Sequence, residues 1–250
     1  MVLNQVAKVG LMLGAGYFTS GFVLLSGPVE ARLPVSTVAP TIQFVWNGTA
    51  PGITSKDDVE GGIYAGLDDQ AFFAFALQTA VTQWNAVRGS YVRLSVVQNA
   101  ATAKIDEEDR VFSIVTDTEA SASTAASARP KTDSDGVIYD CDIQVADRSS
   151  TSARSLIFTL VHELGHCLGL GHNHSNYNSI MSYARSQSTY NLGADDKAGL
   201  IFLYPDPAYA PEASKEAVGC GVAGRKHSTM GLGWMFFMPL MLILVRRKSY

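Results

Sequence analysis

Hydrophobic positions in this chain change period several times, and each change marks an element. The first strand is expected at Thr41–Trp46 (TIQFVW), where alternation gives way to three apolar residues in a row. A long helix follows at 68–87, with Phe72, Phe73, Phe75, Leu77 and Trp84 covering much of its surface. Runs rich in β-branched and aromatic residues at 91–97 (YVRLSVV), 110–115 (RVFSIV) and 136–145 (GVIYDCDIQV) predict three more strands. Helices are expected again at about 155–168 and 194–203. Asp195 and Asp196 fall in the first turn of the latter, where carboxylates favour the helix dipole.

Between these elements the pattern dissolves. Residues 119–136 are rich in Ser, Ala and Thr and read as a flexible loop. Its Asp133, Asp135 and Gly136 form either a turn or a calcium site; no EF-hand spacing supports calcium, and the turn is the expectation. Residues 211–219 (PEASKEAVG) read as a short solvated linker. There are no internal repeats. About 170 residues remain for one α+β domain, enough to bury a core.

Both termini are apolar. Residues 1–31 start with a lone Lys8, continue apolar from Val9 to Leu25 and end in Val29-Glu30-Ala31, a small-x-small pattern that predicts a signal peptide. A retained anchor is the alternative, since about 17 apolar residues lie near the lower limit for spanning a bilayer. At the other end, Gly219-Cys220-Gly221 precedes an apolar run at 229–245 and then Arg246-Arg247-Lys248. That charge places the C-terminus in the cytoplasm and the body across the membrane, an inference weakened by Arg225 and Lys226 on the far side. The expected division is a leader at 1–31, a domain at 32–206, a linker with the Cys-Gly motif at 207–228 and a transmembrane or sorting tail at 229–250.

Charge narrows the partners. Of the net −4, Lys8 and Glu30 cancel and residues 221–250 hold five cations and no acid, so residues 32–220 carry −9. An acidic body does not suit nucleic acid. Of three cysteines, Cys141 lies on a predicted strand and Cys167 on a predicted helix. They either form a disulfide, leaving Cys220 odd, or pack as two buried thiols.

The densest chemistry lies in VHELGHCLGLGH, where His162, Glu163, His166, Gly169 and His172 spell H-E-x-x-H-x-x-G-x-x-H. His162 and His166 share a helix face and can reach one metal. Glu163 sits about 100° round the helix, where it can touch a metal-bound water without ligating. Gly169 supplies a left-handed turn so that His172 can return as third ligand. Three nitrogens leave a fourth position open, as in a catalytic zinc site, with Glu163 as the general base for zinc-bound water.

With Ile-Met-Ser-Tyr following at 180–183, this set resembles the metzincin zinc endopeptidases, and within them a bacterial matrixin-type peptidase, to which LGADDKAGLIFLYP (192–205) is also similar. The resemblance covers roughly 38–206. It implies a mixed twisted sheet, two long helices above a zinc cleft, and a small C-terminal subdomain with a Met turn and closing helix. It also implies ligand roles for His162, His166 and His172, a base role for Glu163, and a hydrophobic floor at Met181.

Two residues depart from the matrixin pattern. Asn173 stands where serine is usual, and Tyr183 where proline is usual. Tyr183 is similar to the Met-turn tyrosine of astacins and serralysins, which ligates zinc or steadies the oxyanion; a tyrosine packed in the turn is the alternative. His174 is read as a loop histidine outside the ligand set. No histidine precedes His162, so a second, structural zinc is not expected, and no cysteine precedes Cys141 to act as a latch on zinc.

The tail is similar to bacterial sorting signals in which a Cys-Gly motif precedes a helix and a basic cluster. That implies a membrane sorting protease acting near Cys220; a plain tail anchor is the alternative. The expected activity is endopeptidase cleavage of extracellular or surface proteins by a monomer whose domain lies outside the cytoplasm, with extended substrate laid along 136–145 as an edge strand. A non-catalytic zinc-bearing binding module and a zinc amidase acting on cell-wall peptides are the rival readings.

Overall fold

The computed structural model describes residues 22–25, 30–106, 108–117, 125–147, 151–174, 176–182 and 189–209. They fall within the first of two compact units, Met1–Ala210. Tyr183, Cys220 and the expected tail at 229–250 lie outside the described residues. Among those described, no helix is long and apolar enough to cross a membrane.

Strand β1 (Thr41–Trp46) buries Phe44, Val45 and Trp46, the three apolar residues that end its run. It leads through a short strand β2 (Ile53–Ser55) into helix α1 (Asp69–Asn85), which starts where the Asp68 carboxylate accepts the Ala71 amide at 2.7 Å. Along α1, residues 72, 73, 76, 77, 80, 81 and 84 are buried, a stripe at helical spacing. Phe75 lies off the stripe and stacks on Tyr64 instead, 4.0 Å between ring centres.

Because a helix carries the chain back, β3 (Arg93–Gln98) pairs parallel to β1. β4 (Ser113–Asp117) joins parallel on the other side of β1, and β6 (Ile138–Ala146) parallel to β4. The last strand, β5 (Ala126–Thr132), runs antiparallel to β6 and closes the order β3-β1-β4-β6-β5. A two-residue strand β7 (Thr151–Ser152) pairs with β2 immediately before helix α2 (Ala153–Cys167).

Two sequence expectations fail here for one reason. The segment 119–136 was expected to be loop, yet it holds β5, and 136–145 was expected at the sheet edge, yet β6 is covered on both sides. ASARPKT has no apolar alternation, and Pro130 argues against a strand interior. An edge strand needs neither, because it pairs on one side only; Pro130 sits opposite Cys141.

Helix α2 is buried along almost its whole length, packed against β5 and β6 and against α1, which itself packs on β3. Trp84 of α1 donates its indole N–H to the Val161 carbonyl at 3.0 Å. Cys141 of β6 and Cys167 at the end of α2 form a disulfide, with Cα atoms 5.6 Å apart, which resolves the pairing left open by the sequence. Helix α3 (Ala194–Leu203) closes the domain. Asp133 accepts the Asp135 and Val137 amides, so this loop is a turn tied by its own carboxylate.

Candidate metal centre

The centre is built on the last two turns of α2. His162 and His166, four residues apart, point the same way, and the helix ends at Cys167 with Leu168 as its cap. Gly169, at φ +96°, makes the stop: its amide donates to the His166 carbonyl at 2.9 Å and the Leu170 amide to Gly165 at 3.0 Å, a Schellman ending. The reversal carries His172 back beside the other two rings.

The three Nε2 atoms lie 3.2 Å (His162 to His166), 3.0 Å (His166 to His172) and 3.1 Å (His162 to His172) apart. Tetrahedral ligands at about 2.0–2.1 Å from zinc stand roughly 3.3 Å from one another, so this spacing fits that ion. The far nitrogens set the tautomers. His162 Nδ1 faces the Ile180 carbonyl and His166 Nδ1 the Leu170 carbonyl, both at 2.8 Å. Each Nδ1 therefore carries the hydrogen, leaving the Nε2 lone pairs of these two rings aimed at one point. Burial first, then neighbouring His162, lowers His166 to about 3 and His172 to about 4, which keeps both imidazoles neutral and able to ligate. Among the described residues these three form the one cluster of three or more such side chains able to hold a metal ion. The ring of His174 lies 6.4 Å from that of His172 and does not join them.

Glu163 is buried beside the triad, and its Oε2 accepts the Ala128 amide of β5 at 2.7 Å. Burial raises its carboxyl above the usual range, partly offset by His162 and by that amide. The carboxylate is thus gripped by the edge strand, a contact across 35 residues that no local pattern announces.

Met181 is buried, at 2% exposure, against Gly165 of α2. Gly165 makes room for it: a Cβ there would stand 2.4 Å from the Met181 sulfur. The Met turn is held from α3. Asp196 accepts the Ile180 and Gly193 amides at 2.7 Å each and the Ser179 hydroxyl. Asp195 accepts both Asn173 and Asn176 side-chain amides, while the Asn173 backbone N–H donates to Met181 at 2.9 Å. Both aspartates therefore tether the loops beside the triad, the role the family resemblance allowed for one of them, and Asp196 also caps α3 through the Gly193 amide. Asn173, the departure from serine, is one of the tethers.

A search of curated proteins finds no match. Among solved structures the chain is similar to the GM1-bound form of the ECX AB5 holotoxin, at 16% identity over 74% of this chain and 87% of that one, TM-score 0.47. It is also similar to metalloproteinase-II from Bacteroides fragilis, at 17% identity over 75% of this chain and 59% of that one, TM-score 0.40. The Matrixin family profile matches residues 69–205, from the first residue of α1 to just beyond α3, and on that match over more than half its length the chain belongs to the matrixin family of metallopeptidases.

Proposed function

We propose that the chain is a zinc-dependent endopeptidase that hydrolyses peptide bonds of extracellular or surface proteins, with Glu163 as general base. The observation that carries this reading is the convergence of three imidazole nitrogens within 3.0–3.2 Å beside one buried carboxylate. His162, His166 and His172 would hold the zinc, whose contribution when bound is Lewis acidity toward water and a peptide carbonyl.

The protein's own groups do the rest. Glu163 accepts a proton from the attacking water and delivers it to the leaving amine. The Ala128 amide holds the carboxylate in place at 2.7 Å. Among the described residues β5 is the outermost strand next to Glu163, so extended substrate adds to the sheet there, a placement that replaces the one expected on 136–145. The disulfide supports a domain working outside the cytoplasm, where such bonds persist. On sequence alone, the segment from Cys220 to Lys248 is read as the surface attachment signal, and Tyr183 as a second group at the reacting carbonyl.

The test is zinc content and cleavage of a quenched unstructured protein, with Glu163→Ala as control. One zinc per chain in both proteins, with chelator-sensitive cleavage only in the parent, is the expected result. Undiminished cleavage by Glu163→Ala would refute the role given to the carboxylate.

A further inference from the structure

By hydropathy, residues 22–25 end the apolar run of the expected leader. In the structure they are part of the fold. Leu24 bridges antiparallel to Leu170; the Leu25 amide donates to the Gly169 carbonyl at 2.9 Å, and the Gly171 amide donates to Val23 at 2.8 Å. The Phe22 ring stands 5.3 Å from that of Phe202 on α3. Further on, Ala31 and Leu33 are buried at 5% and 3%. The Arg32 amide donates to Gly136 and the Ile138 amide to Arg32, while the Leu33 amide donates to the Tyr204 hydroxyl at 2.8 Å.

These two pieces flank residues 169–171, the turn that leads from His166 to His172, and the turn is shaped to receive them. A Cβ on Gly169 would stand 2.2 Å from the Ala31 carbonyl oxygen, and one on Gly171 would stand 2.8 Å from that of Leu24. Gly169 needs to be glycine for its φ anyway; Gly171 does not, having no positive φ. The three atoms nearest a Cβ on Gly171 all belong to residues 23 and 24. On α3 a Cβ on Gly199 would stand 2.8 Å from Leu170 and 3.1 Å from Phe22. The body of the domain is therefore complementary to residues that a cut after Ala31 would discard.

We infer that Phe22–Leu25 and Ala31–Leu33 belong to the catalytic domain as a brace on the turn carrying His172, and that leader processing cuts upstream of Phe22. Thr19-Ser20-Gly21 puts short side chains three residues and one residue before that position, a usable cleavage pattern. The cut rests on the secreted reading proposed above; the brace does not.

Two measurements test the two halves. The full chain carrying Glu163→Ala, which removes self-cleavage, is expressed in a secreting host, and the N-terminus of the released protein is sequenced. A start at or before Phe22 is expected; a start at Arg32, or a leader never cut, overturns the cut. For the brace, Leu25→Pro deletes the amide that bonds Gly169, whereas Leu25→Val keeps it. Zinc release to excess chelator is expected to quicken about tenfold in Leu25→Pro and to change less than about twofold in Leu25→Val. Equal release rates in both variants would overturn it. Failure of the whole protein to bind zinc would instead strike the proposed function, so the two failures are distinguishable.

Discussion

The Cys141–Cys167 disulfide ties a sheet strand to the last turn of the metal helix, one residue past His166, and replacing both cysteines by alanine measures what that tie is worth. The bond spans a sequence separation of 26 residues. In the chain-entropy account, closing such a loop removes about 3.5 kcal/mol of freedom from the unfolded state at 25 °C. Both side chains are fully buried, so alanines also leave voids, adding on the order of 1 kcal/mol. For a domain of this size each kcal/mol is worth roughly 2–4 °C, so the double variant should melt about 9–18 °C lower. Scanning calorimetry at fixed free zinc is the assay, since zinc binding itself shifts the midpoint. Parent protein refolded under reductant keeps its sulfur atoms and should lose only the entropic share, about 7–14 °C. A melting point within about 2 °C of the parent for the double variant would refute the reasoning. So would peptide mapping without reductant that finds no Cys141–Cys167 cross-link.

Three other substitutions probe separate links. Tyr204→Phe removes the hydroxyl that donates to the Leu168 carbonyl and accepts the Leu33 amide, both at 2.8 Å; stranding two buried groups should cost about 1–3 kcal/mol in urea unfolding, and no loss would contradict the bonding. Asp142 is fully buried, and desolvation raises it from 3.8 to about 6. The folded state therefore binds the extra proton between roughly pH 4 and 6, and stability falls as pH rises through that window, by at most about 3 kcal/mol. Asp142→Asn, which still accepts the Asp106 amide, should melt higher than the parent at pH 7.5 and converge with it near pH 4; a gap that persists in acid would exclude this origin. Gly169→Ala meets the Ala31 carbonyl at 2.2 Å with φ at +96°, a strain of about 1–3 kcal/mol before the clash is counted. The purified variant should hold well under one zinc, and full metal occupancy would show that the turn tolerates a side chain.

The parts of this protein that could be read directly from its residues are those whose partners lie within a helix turn or two. His162, Glu163, His166, Gly169 and His172 span eleven positions, and helical period plus one left-handed glycine suffices to bring the three imidazoles together. Thr41–Trp46, the α1 stripe and the span of α3 were legible for the same reason, each being a periodic pattern that one element satisfies by itself. What tertiary structure alone decided is every contact that joins distant segments: β5 on the sheet edge, Ala128 on Glu163 across 35 residues, Asn173 on Asp195 across 22, and Cys141 with Cys167 across 26. The placement of Phe22–Leu25 against the His172 turn is the extreme case, since an apolar run looks the same whether it is discarded or buried. Local geometry follows from backbone period and glycine's missing Cβ. Long-range pairing depends on which surfaces fit once the core has closed, and no window of sequence carries that information.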